Sequence, residues 1–189
     1  MNRRTVLKNL ALVIGGSVLL PSCLHKDGTS YVQLKHVQIN EEQQKLMADV
    51  ADTIIPKTTT PGAIDLNLPA FTLKMIDDCY NKKEQDAFIA GLTAFKNKIK
   101  KEHGKDFGDL DQKQREAILV AIEKDAQKPK QKSPSAPDPV TTFYWGVKGQ
   151  TIFGYTTSQY FMTKEIVYEL VPGRYNVHYP VSKLKLKTA

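Results

Sequence analysis

The most constraining feature of the sequence is an apolar stripe with helical spacing between residues 81 and 104. Because its members recur every three or four residues, they fall on one face of an α-helix. Asn81, with Glu84 three residues later, forms a capping-box pattern at the start, and Gly104 suits the end. Such a face has to be buried, so we expect a helical core. The stripe consists of Phe88, Leu92, Phe95 and Ile99.

Further helical patterns occupy most of the remaining chain, and a proline-rich linker near 129–139 interrupts them. Gly154 separates the last two patterns, and the final "VSKLKLKTA" suits either an edge strand or a disordered end. Without internal repeats, the chain is predicted to be all-α, with a single helical domain over 40–189. The additional predicted helices span 41–55, 67–80, 111–127, 140–153 and 156–170.

The N-terminus has the layout of an export leader. Arg3 and Arg4 give it a charged start, an apolar run covers residues 10–20, and Cys23 follows shortly afterwards. The run is too short to span a membrane, which takes about 20 residues, so a signal peptide is predicted over residues 1–22. The paired arginines are similar to the twin-arginine consensus for export, and an ordinary secretory leader is the alternative.

The motif "LPSC" resembles a lipobox, in which Cys23 is lipidated and becomes the first mature residue. The alternative is an unmodified thiol after a conventional cleavage site. Residues 23–39 lack helical spacing and are predicted to be a tether. Removing the leader leaves 24 basic and 20 acidic residues, a net charge of +4, which argues against a nucleic-acid partner. Cys79 then remains as a thiol without an internal disulfide partner.

The sequence shows no catalytic arrangement. Its four histidines have no spacing that places two on one helical face, and it contains neither a phosphate loop nor a dinucleotide fingerprint. Asp77 and Asp78 are adjacent, hence about 100° apart on a helix, so we expect one to be solvated and the other to be a cap or surface partner. Cys79 is predicted to be a small buried side chain. We therefore predict no catalytic, cofactor-binding or metal-binding residue in this chain.

Aromatic residues are concentrated near the C-terminus, where ten of the sixteen lie between Phe143 and Tyr179. Aromatic and arginine side chains fill cores, but they are also enriched in protein interfaces. The segment "VPGRYNVHYP" therefore suits either an interface or local packing. As an interface, it would act together with the loop from Pro56 to Asn67. The interface candidates are Tyr155, Tyr160, Arg174, Tyr175 and His178.

Three blocks carry a family resemblance: "ADTIIPKTTTPGAIDLNLPAF" at 51–71, "DDCYNKKEQDAFIAGLTAF" at 77–95 and "FGYTTSQYFMTKEIVYELVPGRYNVHYP" at 153–180. Their most specific pieces are "DTIIP" with "TPG", "GY" with "TS", and "PGRY". These blocks resemble subunit 3, the small subunit of membrane-associated gluconate 2-dehydrogenase and related sugar dehydrogenases. The resemblance covers most of the mature chain.

The resemblance implies a noncatalytic accessory subunit. In this family a large GMC-type flavoprotein subunit carries FAD and the redox chemistry, often with a cytochrome c subunit whose haem accepts electrons. The small subunit is needed for maturation or export of the large one. The leader and Cys23 then imply a membrane-anchored lipoprotein on the periplasmic side of a Gram-negative envelope. The alternatives are a stand-alone periplasmic sugar-binding lipoprotein and an oxidoreductase in its own right.

Overall fold

The computed structural model describes residues 32–127 and 138–166, together with residues 173 and 178. Within these residues every regular element is helical, which confirms the predicted all-α fold. The predicted signal peptide lies outside them. The elements are α1 (Glu41–Ile54), α2 (Leu68–Cys79), α3 (Lys82–His103), a 3-10 turn (Phe107–Asp109), α4 (Gln112–Gln127), α5 (Pro139–Thr156) and a π-helical turn (Phe161–Glu165).

Local capping explains where the helices begin and end. Asn40 and Asn81 each form a full capping box, in which the asparagine side chain accepts the N–H of the residue three positions on. The side chain of that residue accepts the asparagine N–H in return, so two otherwise unpaired donors are satisfied. Gly104 closes α3 in the left-handed conformation, at φ 67°. The caps at Asn81 and Gly104 agree with the sequence prediction, and the cap at Asn40 fits the predicted start of a helix at residue 41.

Helix α5 occupies the centre of the domain and packs against each of the other four α-helices. Its Phe143 is fully buried, with a ring centre 5.3 Å from that of Phe88 and 5.2 Å from that of Phe95, both on α3. Phe95 also lies 5.4 Å from Phe107 of the 3-10 turn, edge to face. Tilted and edge-to-face rings at these separations attract one another beyond simple burial. They join α3, α5 and the 3-10 turn in one core.

Gly91 allows α3 and α5 to approach closely. A Cβ atom at this position would lie 2.3 Å from the carbonyl oxygen of Pro139 and 2.8 Å from the Cβ of Phe143. Because both neighbours belong to the main-chain framework of α5, neither can rotate away. The close approach brings the predicted stripe onto α5, and all four of its residues are buried.

The segment before α1 is attached to the domain, which corrects the predicted tether over residues 32–39. Asp77 of α2, itself buried, accepts backbone N–H bonds from Lys35 at 2.7 Å and from His36 and Val37 at 2.8 Å each. Gln44 accepts the N–H of Val32 at 2.9 Å and donates to its carbonyl at 3.1 Å. The partners lie up to 42 residues apart, so local patterning could not reveal them.

The C-terminal half differs from the prediction in its boundaries. α5 continues through Gly154 to Thr156, whereas the sequence predicted a break at Gly154. The predicted helix over 156–170 is represented by the π-helical turn, and residues 167–170 lie outside the described part. Asp138 caps α5 and Pro139 begins it, so these two residues are not linker. The rest of the predicted linker and the "VSKLKLKTA" tail also lie outside the described residues.

Two single-residue predictions have opposite outcomes. Asp77 acts as a backbone cap while Asp78 is exposed, 3.9 Å from the Lys35 ammonium, as expected for an adjacent pair. Cys79 is exposed, so its predicted burial is wrong. It is the last residue of α2, where Ile76 and the half-buried Tyr80 already cover the core. Across the described ranges, no helix is long and apolar enough to cross a membrane.

Candidate functional site

The loop between α1 and α2 is a tightly built turn. Asp65 accepts the Lys57 ammonium at 2.9 Å and the Gly62 N–H at 3.0 Å. These two bonds hold the pKa of the Asp65 carboxyl below its usual range. A Cβ at Gly62 would lie 2.6 Å from the backbone nitrogen of Lys57, so only glycine allows the loop to fold back on itself at this point. The loop is therefore a fixed surface next to α2.

The entry into α2 depends on a left-handed residue. Asn67 has φ 54° and ψ 34°, a conformation that asparagine tolerates better than most residues. Leu68 begins α2 and Pro69 follows in its first turn, where its missing N–H costs nothing. As a result Leu66 and Leu68 stay beside the loop, facing the end of α5.

The end of α5 lies directly against α2. A Cβ at Gly154 would be 2.7 Å from the ring of Phe71 and 3.2 Å from Leu68 Cδ2. Phe153, next to Gly154, is half exposed, and its ring centre is 6.1 Å from that of Phe71. Gly154 lies within α5, where the absence of a side chain leaves room for the Phe71 ring. The glycine at this position therefore serves helix packing and does not end α5.

Tyr155 joins the loop to the C-terminal aromatic residues. It packs half-buried against a small cluster, and its ring centre lies 5.6 Å from that of Phe161 and 6.5 Å from that of Tyr160. Two parts of the sequence that were predicted to share an interface are therefore adjacent. The cluster consists of Ala51, Ala63 and Leu68, with Ile55 and Leu66 against it.

Tyr160 is tied to the π-helical turn. Its hydroxyl donates to Glu165 Oε1 at 2.5 Å, and this bond raises the pKa of Tyr160 to about 12. The phenol is consequently a neutral donor at any physiological pH. In the described part of the chain, this hydrogen bond stabilises the π-helical turn and engages one oxygen of the Glu165 carboxylate.

Two clefts flank Phe71, each of about 600 Å³. Both include Leu66 and Phe71, which therefore stand between them. We call the two clefts together the Phe71 groove. The first cleft is also lined by Leu68, Gly154, Thr157, Ser158, Gln159, Tyr160, Thr163 and Lys164, and the second by Val32, Gln33, Asn67, Ala70 and Lys74.

A second surface feature lies on the outer side of α5. This helix carries apolar residues all round, and Trp145, Ile152 and Phe153 remain 42 to 50% exposed. Lys148 lies over the Trp145 ring at 5.1 Å and is 2.7 Å from Glu123 of α4. The Lys148–Glu123 ion pair keeps the ammonium group over one face of the indole ring, and this cation–π contact stabilises Trp145 in its exposed position. We call these three exposed side chains the α5 apolar face.

The predicted site residues have different outcomes. Tyr155 and Tyr160 lie beside the Phe71 groove, and His178 is exposed. The other predicted residues lie outside the described part: Arg3, Arg4, Cys23, Arg174 and Tyr175.

Sequence reasoning did not identify Phe71, Ile152 or Phe153 as candidate interface residues. The spacing in α2 places Phe71 on the apolar side of that helix, and the pattern in α5 indicates only that Ile152 and Phe153 are helical. The signal that could have found them is the composition of α5. A helix that is apolar on all sides has more apolar surface than packing against one core can bury.

The described residues contain no group of three or more histidine, cysteine, aspartate or glutamate side chains that could hold a metal ion. Asp65, Asp77 and Glu123 accept hydrogen bonds from backbone, lysine or tyrosine donors, and these bonds hold their pKa values below the usual range. At Asp77 burial raises the pKa, and the three backbone N–H bonds lower it further than burial raises it. These groups serve as structural acceptors.

Comparison with known protein families assigns most of the described chain to a family. A family described as gluconate 2-dehydrogenase subunit 3 matches residues 41–173, from the first residue of α1 to beyond the π-helical turn. No curated protein and no solved structure matches the chain. The matched segment is more than half of the sequence and includes the loop, α5 and the first cleft of the Phe71 groove.

Proposed function

This chain belongs to the gluconate 2-dehydrogenase subunit 3 family, and from this premise we propose that it is the noncatalytic small subunit of a flavin-dependent sugar or sugar-acid dehydrogenase. The partner is the large GMC-type flavoprotein subunit, which carries FAD and performs the redox step. A cytochrome c subunit with haem would be a third component. The small subunit supports maturation, export and membrane association of the large one.

The α5 apolar face is the observation that carries this proposal. Trp145 and Ile152 lie about two turns apart on α5, and Phe153, next to Ile152, lies near Phe71 of α2. Soluble proteins rarely expose large contiguous apolar patches unless a partner covers them, and tryptophan is among the residues that dominate binding energy. A flavoprotein surface would remove these side chains from water.

Co-expression with the flavoprotein subunit of the same organism tests the proposal. We expect a stable complex that retains FAD, and we expect Trp145→Ser with Phe153→Ser to weaken it at least tenfold. Val120→Ser is the matched control, because Val120 is also 48% exposed but lies on α4. A wild-type chain that stays monomeric beside the folded flavoprotein would contradict the proposal.

Export and anchoring are separate parts of the same proposal. A flavoprotein binds FAD as it folds, so a complex assembled before export needs a route for folded cargo, which a twin-arginine leader would supply. Replacing Arg3 and Arg4 with lysine should leave both subunits inside the cell. If the partner is still exported, the leader serves only its own chain.

Lipidation at Cys23 would hold the complex at the periplasmic side of the membrane. Several acyl chains bind firmly, since each buried CH₂ contributes about 0.8 kcal/mol. Cys23→Ala should therefore move both subunits to the soluble fraction. Unchanged membrane retention would exclude the lipid anchor.

A further inference from the structure

The Phe71 groove has a regular arrangement of one lysine in each cleft and an apolar wall between them. Lys74 lines the second cleft, Lys164 lines the first, and Leu66 and Phe71 belong to both. Phe71 is only half-buried and lines both clefts, so part of its side chain is open to a ligand in each of them. An extended or helical segment laid across the wall would meet a positive charge on each side.

Both lysines are unpaired among the described residues, since the ion pairs of the domain involve other lysines. Within the part of the chain that the structure describes, no aspartate or glutamate lines either cleft. The adjacent carboxylate, that of Glu165, accepts the hydroxyl of Tyr160. Among residues 32–127 and 138–166, the groove therefore combines two lysines without a carboxylate partner and an apolar surface, which selects for an acidic and apolar ligand.

Charge argues against two other occupants. With the leader removed the chain keeps 24 basic and 20 acidic residues, a net charge of +4, so a second copy brings no acidic excess to match the two lysines. The C-terminal sequence "KLKLKTA" carries three lysines and no acid, so it would be repelled by Lys74 and Lys164. A separate protein with an acidic segment fits the groove better than either.

We propose that the Phe71 groove binds a segment of the large subunit in which an apolar or aromatic side chain, packed against Phe71 and Leu66, has carboxylates on both sides that pair with Lys74 and Lys164. This inference rests on the proposed function and adds to it the site and the chemistry of the contact. The groove adjoins the α5 apolar face through Phe153, whose ring centre is 6.1 Å from that of Phe71. The two surfaces form one continuous interface.

Charge reversal tests the groove with the FAD-loaded large subunit as the binding partner. We expect Lys74→Glu with Lys164→Glu to slow association about tenfold and to weaken affinity about 10- to 100-fold, and to reduce its dependence on salt. Lys105→Glu with Lys113→Glu is the matched control: it makes the same change in net charge, at two exposed lysines that line neither cleft. The control should bind like the wild type.

A steric variant tests the same site independently of charge. Gln159 is exposed and lines the first cleft, so Gln159→Trp would fill the space beside Phe71. We expect the complex to dissociate at least tenfold faster. Circular dichroism and thermal unfolding should match the wild type for all variants, because each replaced side chain is exposed.

The outcomes separate the groove from the proposed function. If the wild-type chain does not bind the flavoprotein, both fall. If the wild type binds and the groove variants bind equally well, the subunit role stands and the groove proposal is overturned. If the charge reversal instead abolishes self-association in sedimentation, or binding to anionic vesicles, while flavoprotein affinity is unchanged, the occupant is a second copy or a membrane and the proposal is likewise overturned.

Discussion

Asp77 Oδ1 accepts the backbone N–H of Val37 at 2.8 Å, which connects α2 to a segment 40 residues earlier in the chain. The same carboxylate binds the N–H groups of Lys35 and His36. Three consecutive N–H groups donate to one buried carboxylate, as in a helix N-cap, although the donors belong to a segment that is not helical. Such charge-assisted hydrogen bonds are stronger than neutral ones. The start of the domain is therefore set by a side chain in its second helix.

Removing this carboxylate should destabilise the domain strongly. Asp77→Ala removes the acceptor of three backbone N–H groups, and the buried one, at Val37, alone costs about 1–3 kcal/mol when it is left unsatisfied. We expect the free energy of unfolding in urea to fall by about 3 kcal/mol. Asp78→Ala should change it by less than about 0.5 kcal/mol, because that side chain is exposed. Equal effects of the two substitutions would show that the cap is not significant.

The same contact should give the domain a specific acid sensitivity. Burial raises the pKa of Asp77, but the three N–H bonds outweigh it and hold the pKa below its usual value of 3.8. The stabilisation is therefore present above the unfolded pKa and lost as pH falls through the lower folded pKa. The stability difference between wild type and Asp77→Asn should be constant near about pH 7 and shrink below about pH 4. A difference that grows on acidification would contradict this sign.

Asp49 should behave in the opposite way. Burial raises its pKa, and attraction to Arg115 only partly offsets this effect. A folded pKa above the unfolded one means that stability is lost as pH rises through that window, so ionised Asp49 costs stability at neutral pH. Asp49→Asn should therefore stabilise the domain at about pH 7, with the gain shrinking toward about pH 3. Urea unfolding at the two pH values measures both.

Two helical glycines provide a matched test of packing. Gly91→Ala would place a Cβ against the main-chain framework of α5 and should cost about 3 kcal/mol by overpacking. Gly149 is exposed, and a Cβ added there would have no neighbour within 4 Å, so Gly149→Ala should gain about 0.5–1 kcal/mol from helix propensity alone. Thermal unfolding of both variants should shift in opposite directions.

Trp145 offers a direct probe of partner binding, since it is the single tryptophan of the chain and is 42% exposed. In a chain labelled with 5-fluorotryptophan, one fluorine resonance should shift when the unlabelled flavoprotein is added, because the indole loses contact with water. Lys148→Met should shift the free resonance, since the ammonium lies over the ring. An unchanged resonance at saturating flavoprotein would exclude the α5 apolar face from the interface.

Local signals were sufficient where the chain interacts with its near neighbours. The capping boxes at Asn40 and Asn81, the left-handed Gly104 and the buried stripe of α3 all follow from spacing of at most four residues. The family resemblance also came from contiguous blocks, and the match over 41–173 confirms it. Helix ends and family membership were accessible for the same reason.

Long-range contacts account for the errors. Gly154 has low helix propensity, but α5 continues through it because Phe71 and Leu68 of α2 pack against the helix at this position. The segment over 32–39 has no helical pattern, and its attachment depends on acceptors at Gln44 and Asp77. The Phe71 groove was not predicted because it combines α2, the loop and the end of α5, which meet only in the folded chain.

The attachment of Val32 to Gln44 also fixes a distance. Nine peptide units separate Cys23 from Val32, and even a fully extended chain covers only about 30 Å in nine residues. With Cys23 in a lipid layer, the second cleft of the groove, which Val32 lines, would stay within that height of the bilayer. Encounter with a partner would then become a search in two dimensions, within a layer about as thick as the membrane itself.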